Sequence, residues 1–216
     1  MKSLKVLSAL GLLAVAGAAN AEVSANASAV SQYMWRGQPQ TAGAALQGGI
    51  DYSSDSGFYV GTWGSNVDWS AGGAEVDVYG GWSKDLESGL GLDFGATMYA
   101  YPNDSGWNTV ELSAKASISV FSFGLYYTSD YFDSDAAMYV SGDASIPLGE
   151  TPLSLDGHVG YSSGDGITQT FGVDNYVDYS AGVTYSKDAY TFGMHYISAS
   201  DIGTGDAMVA SFGVGF

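Results

Sequence analysis

From Val23 onward the chain is a succession of stretches, each about ten residues long, in which apolar side chains hold every second position. Near the end, Met208, Ala210, Phe212, Val214 and Phe216 share one parity, and Ala207, Val209, Ser211, Gly213 and Gly215 share the other. Leu90, Leu92, Phe94, Ala96 and Met98 alternate with Gly91, Asp93, Gly95, Thr97 and Tyr99 in the same way. So do Val110, Leu112, Ala114, Ala116 and Ile118 with Thr109, Glu111, Ser113, Lys115 and Ser117. A period of two belongs to the β-strand, whose successive side chains point to opposite faces. A strand crossing a bilayer needs ~9–11 residues, with lipid-facing and lumen-facing positions alternating. These segments meet both conditions. No apolar run after residue 21 reaches the ~20 residues of a spanning helix, and no helix-forming stretch is visible.

The pattern predicts an all-β fold, a transmembrane antiparallel up-and-down β-barrel of twelve strands. Their limits are 23–36, 45–53, 57–67, 74–84, 89–101, 109–118, 120–131, 136–147, 153–163, 176–187, 189–198 and 207–216. The connections provide a test. Those at 54–56, 85–88, 119, 148–152 and 188 are short, those at 37–44, 68–73, 102–108, 132–135, 164–175 and 199–206 are longer, and the two kinds alternate. Short periplasmic turns alternating with longer extracellular loops characterise outer-membrane barrels, and a soluble sandwich has no reason to show them. Phe58, Trp82, Phe121, Phe123, Tyr185, Tyr190 and Phe216 fall near the short-turn ends, and Tyr33, Trp35, Trp63, Tyr101, Tyr131 and Tyr196 near the long-loop ends. Two such groups are expected to form the interfacial aromatic girdles of a membrane barrel.

The first residues read differently. Lys2 and Lys5 precede the apolar run 6–18, and Ala19-Asn20-Ala21 is a small-x-small cleavage pattern. A cleaved signal peptide over 1–21 is expected, leaving a barrel domain over 22–216, or 216 − 21 = 195 residues. The absence of cysteine excludes a lipid-attached Cys and any disulfide framework. Without Lys2 and Lys5, four basic residues face 23 acidic ones, a formal charge of 4 − 23 = −19. Nucleic acid is therefore not an expected partner, because its phosphates demand a basic surface.

Enzyme chemistry finds little support in the residues. There is no Cys nucleophile, and the two histidines, His158 and His195, sit on different strands with an inward parity. An outer-membrane lipid hydrolase would need Ser and His to meet at the lipid boundary with a third group orienting the imidazole. Gly89-Leu90-Gly91 and Gly213-Val214-Gly215 lie within strands with no helix after them, so they are not phosphate loops. The external acids Asp133, Asp135, Asp165, Asp201 and Asp206 lack EF-hand spacing, and no cofactor or metal is expected.

Ser31-Gln32-Tyr33-Met34-Trp35-Arg36-Gly37, then Gln47-Gly48-Gly49-Ile50-Asp51-Tyr52, carry a resemblance that continues through residues 56–68, Glu75-Val76-Asp77-Val78-Tyr79-Gly80-Gly81 and Tyr99-Ala100-Tyr101-Pro102. Over 28–112 the chain resembles the TorF-family porins, long regarded as conserved proteins of unknown function. It departs from them at Gln38-Pro39-Gln40, where a Ser is expected after Arg-Gly, and at Ala44-Ala45, where Pro-Ala is common; both fall in an expected external loop. The resemblance implies an outer-membrane pore and brings no substrate. Phe216, ending an alternating strand, also resembles the C-terminal signature read by the outer-membrane assembly machinery.

If the apolar parity meets lipid, the polar parity faces a lumen. Arg36, Asp51, Glu75, Asp77, Asp93, Glu111, Lys115, Asp130, Asp143, Asp156 and Asp178 are then the expected pore-lining residues, with Gln32, Gln47, His158 and His195 near them. Acidic rings favour cations, and Arg36 is the expected counter-ion, because a guanidinium can bridge two carboxylates. Tyr59, Trp63, Tyr79, Tyr99, Tyr126 and Tyr139 share the inward parity and would narrow the passage. The expectation is a passive, narrow channel for small cations or small polar solutes. The alternatives are a non-conducting structural or surface-interaction barrel and a lipid hydrolase.

Overall fold

The computed structural model describes residues 22–68 and 73–216; the expected signal peptide lies outside the described residues. The strands are β1 (Glu22–Val30), β2 (Met34–Trp35), β3 (Gln38–Pro39), β4 (Ala45–Ser53), β5 (Phe58–Ser65), β6 (Glu75–Asp85), β7 (Leu90–Ala100), β8 (Thr109–Ile118), β9 (Phe121–Thr128), β10 (Ala137–Pro147), β11 (Leu153–Ser163), β12 (Asn175–Lys187), β13 (Tyr190–Ala199) and β14 (Ala207–Gly215). β1 and β4 to β14 form a closed antiparallel barrel of twelve strands, each paired with its neighbours in sequence. β2 and β3 pair only with each other. β1 closes on β14 from Asn26↔Gly215 to Val30↔Ser211, and Phe216 N donates to Ala25 O at 2.8 Å.

The alternation of the sequence is the alternation of the wall. Leu46, Ile50, Phe94, Leu112, Phe123, Val159, Met194 and Met208 are each more than half exposed on the outer face, a continuous apolar surface that water would not tolerate and a bilayer does. The opposite parity turns inward. Ser119 (φ 57°) and Asp188 (φ 55°) take the left-handed conformation that tight hairpin turns require, so the short connections sit at one end of the barrel.

Three expectations need correction. The first strand ends at Val30 rather than residue 36, because the chain there leaves the wall and turns inward. A short helix, α1 (Asp165–Phe171), occupies part of the loop at 164–175. Seven residues carry too little periodicity to announce a helix; Ile167, 1% exposed, is held by packing with Tyr131, Ala137 and Tyr176.

The third correction concerns the aromatics. At the short-turn end, Phe58, Phe121, Phe123, Tyr190 and Phe216 do point outward and exposed. At the long-loop end, Tyr33, Tyr101 and Tyr131 are instead buried, and Trp35 and Trp63 pack with them. The outer aromatics of that end are Tyr127, Tyr161 and Tyr179, with Tyr196 against Tyr179 at 6.3 Å. Parity rather than proximity to a loop decides which aromatics meet lipid.

Candidate channel constriction

The first long connection, expected outside the barrel, lies within it. Its local structure follows from four residues. Trp35-Arg36-Gly37-Gln38 is a two-residue hairpin with positive φ at both central positions, 48° for Arg36 and 73° for Gly37. That turn matches strand twist and normally calls for Asn-Gly or Gly-Gly. Arginine there sustains a left-handed backbone at about 1–2 kcal/mol, and places its guanidinium at the hairpin tip. Gly37 has no alternative: a β-carbon would stand 2.6 Å from Ala199 Cβ and 3.0 Å from Asp178 Cβ.

The base of the hairpin is tied by Gln40 N donating to Tyr33 O (2.8 Å), Tyr33 N to Thr41 Oγ1 (2.9 Å) and Gln32 Nε2 to Thr41 O (3.0 Å). Its tip reaches the start of β12 and the connection between β13 and β14. Gln38 Nε2 donates to Tyr176 Oη at 2.6 Å, and Thr204 Oγ1 donates to Gly37 O at 3.0 Å. Met34, 2% exposed, packs with Ile197 and Val209. Thus Gln38-Pro39-Gln40 is no external loop.

Arg36 is the centre of the arrangement. One guanidinium nitrogen donates to both oxygens of Glu111 at 2.9 and 2.8 Å, and both side chains are buried. The guanidinium carbon lies 4.0 Å from the Tyr139 ring centroid, 4.3 Å from that of Trp35 and 5.2 Å from that of Tyr126. Aromatic faces attract a cation through their negative quadrupole, more strongly where water is excluded. Arg36 is therefore a counter-ion as expected, but to one carboxylate and three rings.

The other expected residues fall into place by strand. Glu75 on β6 accepts from Tyr33 Oη at 2.8 Å and Tyr101 Oη at 2.6 Å, and is 3% exposed. The Tyr33 and Tyr101 hydroxyls, both in loops, are pushed well above the usual phenol range by burial and then by the Glu75 charge, so each stays a donor. Asp77, two residues on, is buried, and its Oδ1 has no hydrogen-bond partner. Asp51 accepts from Tyr79 Oη. Asp93 on β7 accepts from Tyr59 Oη at 3.2 Å and lies 3.6 Å from Lys115 on β8.

On the opposite wall, His158 Nδ1 is 2.6 Å from Asp143 Oδ1 and its Nε2 is 2.9 Å from Asp178 Oδ1. His158 Nε2 also lies 2.9 Å from Tyr139 Oη, so the ring joins two carboxylates and a phenol. Asp156 accepts from Ser145 Oγ at 2.6 Å and lies 3.3 Å from His195 Nε2. The one misplaced member is Asp130. β9 ends at Thr128, and Asp130 lies exposed in the loop beyond it, beside the outward Met98 and Val110. The structure therefore gathers Arg36 with Glu111, pairs Asp93 with Lys115 and joins Asp143 to Asp178 through His158; it removes Asp130. It adds Gly37, Gln38 and Tyr176, whose one sequence sign was an Arg-Gly dipeptide where a hairpin turn wants Asn-Gly.

A closed transmembrane barrel, narrowed from within by its own first loop and lined by carboxylates, defines a class of membrane β-barrel. Residues 14–209 match the bacterial family described as a protein of unknown function (Gcw_chp), and the chain belongs to that family. No curated protein matches the sequence. Among solved structures, the barrel is similar to the KdgM porin, with TM-score 0.60 and 11% identity over 89% of this chain and 98% of that one. An outer membrane channel from Pseudomonas putida F1 matches with TM-score 0.56 and 11% identity, covering 93% of this chain and 96% of that one. The Acinetobacter baumannii outer membrane protein Omp33 matches with TM-score 0.51 and 12% identity, covering 91% and 98%. The fold is that of outer-membrane barrels.

Proposed function

We propose that the protein is a passive outer-membrane channel, narrow and cation-preferring, for small cations or small polar solutes. One observation carries the reading: the inward parity of the barrel presents Asp51, Glu75, Asp77, Asp93, Glu111, Asp143, Asp156 and Asp178 against Arg36 and Lys115. A low-dielectric wall lined by one sign of charge concentrates ions of the other sign. Similarity to the KdgM porin and to the Pseudomonas channel supports the general reading. The long-loop end faces outward from the cell, and Phe216, closing the barrel, is the feature offered to the assembly machinery.

Purified protein in a planar bilayer tests this. A salt gradient should give a reversal potential of cation-selective sign, and Glu75→Gln, Asp77→Asn and Asp93→Asn together should bring it toward zero. Unchanged selectivity would mean that those residues do not line the narrow part. A second reading, a barrel that does not conduct, is favoured by the buried hairpin and tyrosines filling the long-loop end. Absence of unitary conductance in either polarity would select it.

A further inference from the structure

We propose that Asp77 is a binding site for a small organic cation, a guanidinium or primary amine, lying on the permeation path. The inference deepens the channel reading and rests on it in one respect, namely that the solute reaches Asp77 through the lumen.

The first ground is an unpartnered oxygen. Asp77 is 7% exposed and its Oδ1 is buried with no hydrogen-bond partner, whereas Glu75 is matched by two tyrosines, Glu111 by Arg36 and Asp93 by Lys115; Asp178 Oδ2 is also unpartnered, but its Oδ1 is taken by His158 and Tyr139. A buried carboxylate oxygen without a donor is costly, and native structures seldom keep one without a use.

The second ground is the wall around it. In the barrel register Trp63 stands opposite Asp77 on one side and Tyr99 on the other, all three on the inward face. Residues directly opposite across an antiparallel pair hold their β-carbons about 4.5–5.5 Å apart. The carboxylate thus sits between two aromatic side chains, and Tyr33 packs edge-on to Trp63 at 5.6 Å. Acid beside aromatic faces is the chemistry that selects organic cations over hydrated metal ions. Among the described residues no group of three acids, histidines or cysteines is placed to hold a metal ion, which argues against a divalent cation.

The third ground is an internal example. The constriction already holds one guanidinium in such surroundings, Arg36, with Glu111 as its carboxylate and Trp35, Tyr126 and Tyr139 as its rings. Asp77 with Trp63 and Tyr99 repeats that pattern of one carboxylate among aromatic rings. A solute of the same chemistry would find a second berth beside the first.

The test uses methylguanidinium chloride and the full barrel in nanodiscs. Calorimetric titration of the wild type should show saturable binding that an equal concentration of sodium chloride does not produce. Asp77→Asn should weaken it about tenfold or more, the loss expected when one member of a buried charge pair is removed. Asp55→Asn, in an exposed turn, should leave it unchanged. No saturable binding to the wild type overturns the inference, whatever the variants do, and so does equal binding by Asp77→Asn. Conductance in potassium chloride is measured on the same preparation. Conduction without methylguanidinium binding sinks this site and keeps the channel; binding lost in Asp77→Asn without conduction keeps the site and sinks the channel.

Discussion

A guanidinium bonded twice to one buried carboxylate and covered by three rings has no water to fall back on. Arg36→Ala would leave Glu111 buried and unpaired, and should cost about 3–5 kcal/mol in urea unfolding from lipid vesicles. Adding Glu111→Gln to that variant should recover part of the loss, and a double-mutant cycle measures how much. Arg36→Lys should not restore the wild type, since an ammonium cannot spread over the Tyr139 and Trp35 faces as a planar guanidinium does. Gly37→Ala strains a backbone at φ 73° and presses on Ala199 and Asp178. It should cost ~1–3 kcal/mol and raise conductance by unseating the hairpin. At this scale the inward acids were legible, because parity alone decides which face a strand residue takes. What parity hides is partnership: Arg36 meets Glu111 across 75 residues of sequence, and no local rule joins them. Asp130 was misread for a related reason, since its parity was extended past Thr128, where the strand had already ended.

Elements divide between those that the sequence announces and those that packing imposes. β4, β8 and β11 have the limits that alternation predicts. The hairpin of β2 and β3 was invisible because Tyr33, Met34, Trp35 and Arg36 continue the alternation of β1 and so read as more strand. Its inward turn depends on tertiary contacts with Ile197, Val209 and Tyr176. Replacing residues 34–39 by a short glycine-serine linker should leave a folded barrel with larger unitary conductance, since the wall strands do not pair with β2 or β3. Leu112→Arg tests the outer face of β8. Leu112 is 54% exposed on the lipid side, and an arginine at mid-membrane should cost about 2–4 kcal/mol by urea titration in vesicles.

For the whole molecule, closure joins the two ends of the chain. Ala25 and Phe216 exchange backbone hydrogen bonds at 3.2 and 2.8 Å, so deleting Phe216 removes the last rung of the seam between β1 and β14. The truncated protein should lose the compact, heat-modifiable mobility of a folded barrel at a lower temperature in gel electrophoresis. The hairpin adds a matter of timing. It belongs to the first loop made, yet it is anchored by Gln38 to Tyr176, 138 residues later, and by Gly37 to Thr204, 167 residues later. Loops that span most of a chain close late, because their entropy is spent before any contact rewards it. Arg36 must therefore wait in the nascent lumen for a wall not yet built. In refolding followed by a variant keeping Trp35 as its one tryptophan, the fluorescence change should lag behind the gel shift of barrel closure. Until that slower step is complete the protein is a finished cylinder with its plug unseated, briefly wider than the molecule it becomes.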